Sequence, residues 1–145
     1  MRVLLIGLFV LLYSVNAVKA QSPLGIWKSV DDTDGVAKSH IEIYKKGELL
    51  YGKVVKLLPA ATITHCDKCK GEDKGRSLIE MVILKDLVHD GYKWSGGKIF
   101  DPAKGREYRC QIALDDPNTL KVRGYIGKPL FGRTQYWYRV ETHNK

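Results

Sequence analysis

The chain has 145 residues, with 24 Lys and Arg against 16 Asp and Glu for a formal net charge of +8. A chain of this length makes one small domain that buries roughly two-thirds of its unfolded surface, so a stable core forms without obligatory disulfide staples. The basic residues are scattered with acids between them, densest at Lys45-Lys46 and at Lys68, Lys70, Lys74 and Arg76; this reads as a solvated face and, with the export signal described next, excludes nucleic acid as a partner.

The N-terminus reads as a cleavable signal peptide over residues 1–20. Arg2 supplies a positive start, Val3 to Tyr13 form an apolar run, and Val18 and Ala20 suit the small-residue positions of a signal-peptidase site. Val15 and Ala17 offer an alternative cleavage after Ala17. The run is too short to span a bilayer, and no later segment is apolar enough to cross one. No cysteine lies near the cleavage site, which argues against a lipid anchor. Cleavage removes Arg2 and Lys19, leaving residues 21–145 with a net charge of 24 − 2 − 16 = +6. The expected location is outside the cytoplasm, periplasmic or secreted.

From Gly25 onward, segments of period two alternate with turn clusters, the pattern of antiparallel strands joined by hairpins. Eight are expected. Ile26 to Asp31 ends at Asp32-Thr33-Asp34-Gly35. Ser39 to Lys45 places Ile41 and Ile43 on one face, and Lys46-Gly47 turns it into Leu49 to Leu58. A long polar loop, Pro59 to Arg76, follows. The fourth segment, Ser77 to Leu84, is ambiguous, because Leu78, Ile79, Met81, Val82, Leu84 and Leu87 also fit a short helix. Tyr92 to Phe100 carries a Gly96-Gly97 pair that predicts a bulge or bend. Arg106 to Leu114, Thr119 to Ile126 and Thr134 to Val140 complete the series. Short connections and even spacing predict an all-β domain over residues 21–145, a single antiparallel up-and-down barrel of about eight strands whose closure removes exposed edges.

Gly25-Ile26-Trp27 opens the first strand, and Arg139 lies on the last strand, on the same side as Trp137. This resembles the lipocalin arrangement, in which a Gly-x-Trp and a basic residue close the barrel floor with the cation on the indole face. Over the whole domain the resemblance is more specific. Gly25-Ile26-Trp27-Lys28, Tyr51 to Pro59, the Cys66-Asp67-Lys68-Cys69 loop, Trp94 to Ile99 with Asp101-Pro102 and Gly105, Lys121 to Gly127, Gly132 to Gln135 and Trp137 together resemble the bacterial DUF2147 family. That resemblance implies a small exported protein with a lipocalin-like (calycin-like) barrel, a bacterial envelope or secreted location and a small-ligand cavity. It transfers no catalytic or binding residue.

Cys66-x-x-Cys69 is the most reactive-looking element. In an oxidising compartment such a pair forms a disulfide, the expected state here. A thioredoxin-type centre needs a helix N-terminus and a βαβ context, and neither is visible. A zinc site would need His65, Cys66, Cys69 and a distant Cys110 or His89, but Cys110 alternates with core residues on its strand. Among the arginines, Arg123 faces away from Val122 and Ile126, and Arg133 ends a Gly- and Pro-rich connection. A guanidinium pointing into the lumen recognises an anionic group; the alternative is a structural ion pair at the rim. Trp94, Tyr108, Tyr125 and Tyr136 are candidate aromatic lining for an apolar pocket, or core filling. Trp27 and Arg139 are expected to be structural. No catalytic residue, metal or cofactor is assigned.

Three readings follow. The first is an exported barrel that binds or carries a small amphipathic or anionic ligand. The second is an interaction protein using its basic exterior or the 59–76 loop. The third is a thiol-redox protein acting through Cys66 and Cys69.

Overall fold

The computed structural model describes residues 21–142, so the signal peptide expected over residues 1–20 lies outside the described residues. The strands are β1 (Gly25–Val30), β2 (Ala37–Lys46), β3 (Leu49–Leu57), β4 (Val82–His89), β5 (Trp94–Asp101), β6 (Arg106–Asp116), β7 (Thr119–Tyr125) and β8 (Gly132–Arg139), with one 3-10 turn at Gly71–Asp73. Each strand pairs antiparallel with its sequence neighbours, and β8 returns to pair with β1, so the sheet closes into an eight-stranded up-and-down barrel. Closure satisfies every edge that an open meander would leave exposed.

The period-two pattern decides which residues fill the barrel. Trp27 pairs with Ile41 and Ile41 with Val54; Gly97 pairs with Cys110, Ile112 with Val122, and Leu120 with Trp137. These inward positions, with Ile43, Leu50, Leu84 and Leu87, form one continuous buried cluster. Each large apolar side chain in it contributes roughly 1.5–3 kcal/mol relative to exposure. Among the described residues, no buried side-chain nitrogen or oxygen lacks a hydrogen-bond partner.

The fourth strand departs from expectation. Strand pairing begins at Val82 rather than Ser77 and runs on to His89. Ser77 and Leu78 instead pair across the long loop: Ser77 bridges His65, and the Leu78 amide donates to the Thr64 carbonyl at 2.9 Å. Within β4 the register against β3 slips twice, between Leu50 and Gly52 and between Gly52 and Lys53. Asp86 takes a left-handed φ of 59°. These bulges aim Ile83, Leu84 and Leu87 all inward, although they do not alternate. Gly97 of β5 is required beside them, since a Cβ there would lie 2.2 Å from the Lys85 carbonyl oxygen. The bend expected at Gly96-Gly97 is present as a register shift between Trp94 and Gly97.

Alternating strand direction sends the connections to two ends. At the floor, the Trp27 indole donates to the Pro23 carbonyl at 2.8 Å, and the Arg139 guanidinium lies 4.3 Å from the indole centroid. At the opposite end lie the loops 31–36, 58–81, 102–105 and 126–131. The longest is stapled by a Cys66–Cys69 disulfide. That bridge is buried with Leu78 in a second small cluster against Ile63, Leu57, Met81 and Phe100. The loop rests on the β5–β6 hairpin, where Gly105 comes so close to Lys68 that a Cβ would lie 2.4 Å from its carbonyl oxygen.

Candidate ligand cavity at the barrel mouth

The main cluster fills the floor half of the barrel and leaves the other half open. A cavity of about 360 Å³ opens there between the loops, within the size range of small-molecule sites. Its apolar wall is Ile83, Ile99, Tyr108, Val122 and Ile126, with Phe100 and Pro102 toward the rim; Trp137 closes its base.

The other wall is polar and built on β8. Period two places Arg133, Gln135 and Trp137 on the inner face, opposite Gly124, Val122 and Leu120 of β7. Asp32, from the β1–β2 loop, receives them. Arg133 Nε donates to Asp32 Oδ2 at 2.7 Å, and Gln135 Nε2 donates to Asp32 Oδ1 at 3.1 Å. Trp137 Nε1 then donates to Gln135 Oε1 at 2.9 Å. The result is a continuous ladder from the rim to the base of the cavity. The Asp32 carboxylate is the more sheltered member of its ion pair, at 24% exposure against 55% for Arg133. Beside it, Asp31 accepts the Thr33 hydroxyl and amide, and these bonds hold its carboxyl below the usual range.

Charge is nearly balanced around this mouth. The lining acids are Asp31, Asp32 and Asp101, the bases Lys104 and Arg133, so the formal sum is 2 − 3 = −1. Asp101 and Lys104 also face each other at 3.9 Å.

Of the residues expected to bind a ligand, Tyr108 and Arg133 meet in this cavity. Arg123, Tyr125 and Tyr136 project from the outer face, because Val122, Gly124, Gln135 and Trp137 take the inward positions. Arg123 instead holds the β7–β8 loop, donating to the Pro129 and Leu130 carbonyls and to Thr134 Oγ1. Tyr125 packs in a shallow outer groove with Gly97, Lys98 and Arg109. Trp94 sits at the floor end, against the core, its ring 4.8 Å from that of His89. Cys110 is buried inside the barrel, in a different cluster from Cys66 and Cys69. Sequence reasoning missed Asp32 and Gln135. For Gln135 a signal existed, since it shares the parity of Arg133, Trp137 and Arg139.

Residues 25–139 match the family described as uncharacterized protein conserved in bacteria, DUF2147. The chain belongs to the DUF2147 family. A solved structure from Helicobacter pylori, protein HP1028, described as belonging to the lipocalin family, superposes with a TM-score of 0.74 at 20% identity. The superposition covers 83% of this chain and 84% of that one, and it shows a shared fold. A comparison with curated proteins gives no match. In this DUF2147 member, the Gly-x-Trp and the final-strand arginine meet at the barrel floor in the manner expected of a lipocalin-like barrel.

Proposed function

We propose that this DUF2147 barrel is exported and binds a small amphipathic molecule, its apolar body against Ile99, Tyr108 and Val122 and its polar group on the Asp32, Arg133 and Gln135 wall. The observation that carries this reading is the cavity itself, apolar on one side and laddered with hydrogen-bonding groups on the other. Because Asp32 already neutralises Arg133 and the lining carries a formal sum of 2 − 3 = −1, a neutral or dipolar head suits the site better than a purely anionic one. Export, periplasmic or secreted, is supported by the disulfide, which persists in oxidising compartments. Both bridged sulfurs are buried, which favours a loop staple over thiol-redox chemistry.

Two measurements test the reading. Native mass spectrometry of protein isolated from its own bacterium is expected to show a retained small molecule. Phenylnaphthylamine, a neutral apolar fluorophore, is expected to bind at one site and to be excluded by Val122→Trp. If no molecule is retained and the probe binds the Val122→Trp variant as well as the parent, the cavity is not a ligand site.

A further inference from the structure

The stretch 117–140 contains Lys121, Arg123, Lys128, Arg133 and Arg139 and not one Asp or Glu. It is the β7–β8 hairpin with its flanks. Arg133 and Arg139 are consumed inside the barrel and at its floor, and Arg123 is spent on the loop. Lys121 and Lys128 are exposed and take part in none of the ion pairs among the described residues. The field continues across β1, which also lacks acids. There Lys28 pairs with His40, and His40 with Lys56. Burial, then Lys56 and Lys28, hold the His40 imidazole below its usual pKa.

The tip of the same hairpin is apolar. Leu130 is 78% exposed, Phe131 66% and Ile126 61%. Side chains of this size left in water beside one another mark an interaction surface. The loop is held open by construction. Arg123 Nε donates to the Pro129 carbonyl at 2.6 Å, and the Phe131 amide donates to the Lys128 carbonyl at 2.9 Å. With its backbone pinned from beneath, the loop presents Leu130 and Phe131 outward, with Ile126 exposed at the rim of the cavity. Behind the tip, Tyr136 and Tyr138 stand half-exposed on the outer face of β8.

We propose that the β7–β8 hairpin lies lengthwise on an anionic phospholipid bilayer, with Leu130 and Phe131 at its tip entering the headgroup boundary. Lys128 beside them and Lys121, roughly 15 Å back along the outer face of β7, face the phosphates. An apolar tip combined with basic charge supplies the two signals that stable interfacial binding needs, and the Tyr136 and Tyr138 rings further back on the same outer face suit contact with the headgroup region. The closed, convex barrel offers no free strand edge to a protein partner here. Ile126 and Gly132 border the cavity, so a hairpin lying on the bilayer sets one rim of the mouth beside it. The docking stands on the exterior alone and does not rest on the cavity holding a ligand.

Vesicle flotation of protein expressed from the full chain tests this. Binding is expected to mixed phosphatidylglycerol and phosphatidylethanolamine vesicles and to be much weaker on phosphatidylcholine. The paired replacement Leu130→Ser with Phe131→Ser is expected to lower partitioning by about tenfold or more, and Lys121→Glu with Lys128→Glu to do the same, with unchanged melting temperatures. Equal binding to both vesicle types, undiminished binding by the Leu130 and Phe131 variant, or a dimer in light scattering that this variant dissolves, overturns the proposal.

Discussion

Arg139, the last residue of β8, lies across the indole of Trp27 near the start of β1, its guanidinium carbon 4.3 Å from the ring centroid. The same fork reaches three carbonyls, those of Ser22 at 2.8 Å, Leu24 at 2.9 Å and Pro117 at 2.8 Å. One side chain thereby ties the chain's entry into the barrel to the β6–β7 turn and seals the seam between first and last strands. Arg139→Met is expected to cost about 2–3 kcal/mol through the lost cation–π contact and the orphaned carbonyls. Urea denaturation measures it. Arg139→Lys should recover less than half, because a single ammonium does not reproduce the planar fork.

The Asp32–Arg133 pair gives a prediction whose direction reports on ligand charge. Asp32→Asn keeps an acceptor for Gln135 but removes the charge that neutralises Arg133. Stability should change by less than about 1 kcal/mol, as for other partly exposed pairs. Binding of anilinonaphthalene sulfonate, an anionic probe, should tighten severalfold. Arg133→Met should weaken the same probe while leaving the neutral phenylnaphthylamine nearly unaffected. Parallel fluorescence titrations of the two probes separate a charge effect from loss of the cavity.

The barrel was legible because alternation survives over most of its strands, so that residues such as Ile41, Ile43, Ile112 and Val122 mark the inner face unaided, even though β5 breaks step at Gly96-Gly97. The fourth strand was not. Its bulges place Ile83, Leu84 and Leu87 inside together, and that spacing imitates a helix. The site was legible only in part. Arg133 and Tyr108 could be read as inward candidates, but Arg123 is a loop clamp, and its neighbour Gly124 is the residue that borders the cavity. Asp32 sits in a polar turn whose sequence resembles any solvated hairpin. Only closure of β8 onto β1 carries it to Arg133, across 101 residues of chain.

The Cys66–Cys69 bridge closes a very short loop, so its effect on the unfolded chain is modest. Replacing both cysteines by serine is expected to cost about 2 kcal/mol, and loss of packing around Leu78 adds to it. The far-ultraviolet circular dichroism of the barrel should persist, while amides of the 58–81 loop exchange faster with solvent. Hydrogen exchange with and without reductant checks both statements.

Four turn aspartates set the acid limb of stability. Asp31 and Asp34 are held below the usual carboxylate range chiefly by hydrogen bonds from Thr33 and Lys38. Asp116 is lowered by the Asn118 amide. Asp90 falls to about 2, because the Lys93 and Tyr92 amides and the Ser95 hydroxyl all donate to it. A carboxylate whose folded pKa is depressed stabilises the fold above its unfolded pKa and loses that contribution as pH falls through the folded value. Stability should therefore decline from about pH 4 toward pH 2. Asp90→Asn should flatten part of that decline, as equilibrium urea curves across this range would show.

At alkaline pH one group that weakens the fold is Cys110, shut inside the barrel opposite Gly97 and Gly124. The Tyr51 hydroxyl, raised by its bond to Asp86, and the Lys53 ammonium, raised by its bond to Glu80, act in the same direction. Burial pushes the Cys110 thiol up to about 12. The folded state thus keeps the proton over a range in which the unfolded chain, with a thiol pKa near 8.5, releases it. Where the unfolded state binds fewer protons, stability falls as pH rises, so Cys110 should weaken the fold progressively between about pH 9 and pH 12. Cys110→Ala should reduce that slope while costing some packing at neutral pH. Because the thiolate is the nucleophile, the native protein at pH 8 should also resist iodoacetamide and react fully once urea has unfolded it. Rapid alkylation of the native chain at Cys110, read by mass spectrometry, would show that the barrel opens more readily than its closed hydrogen-bonded sheet allows.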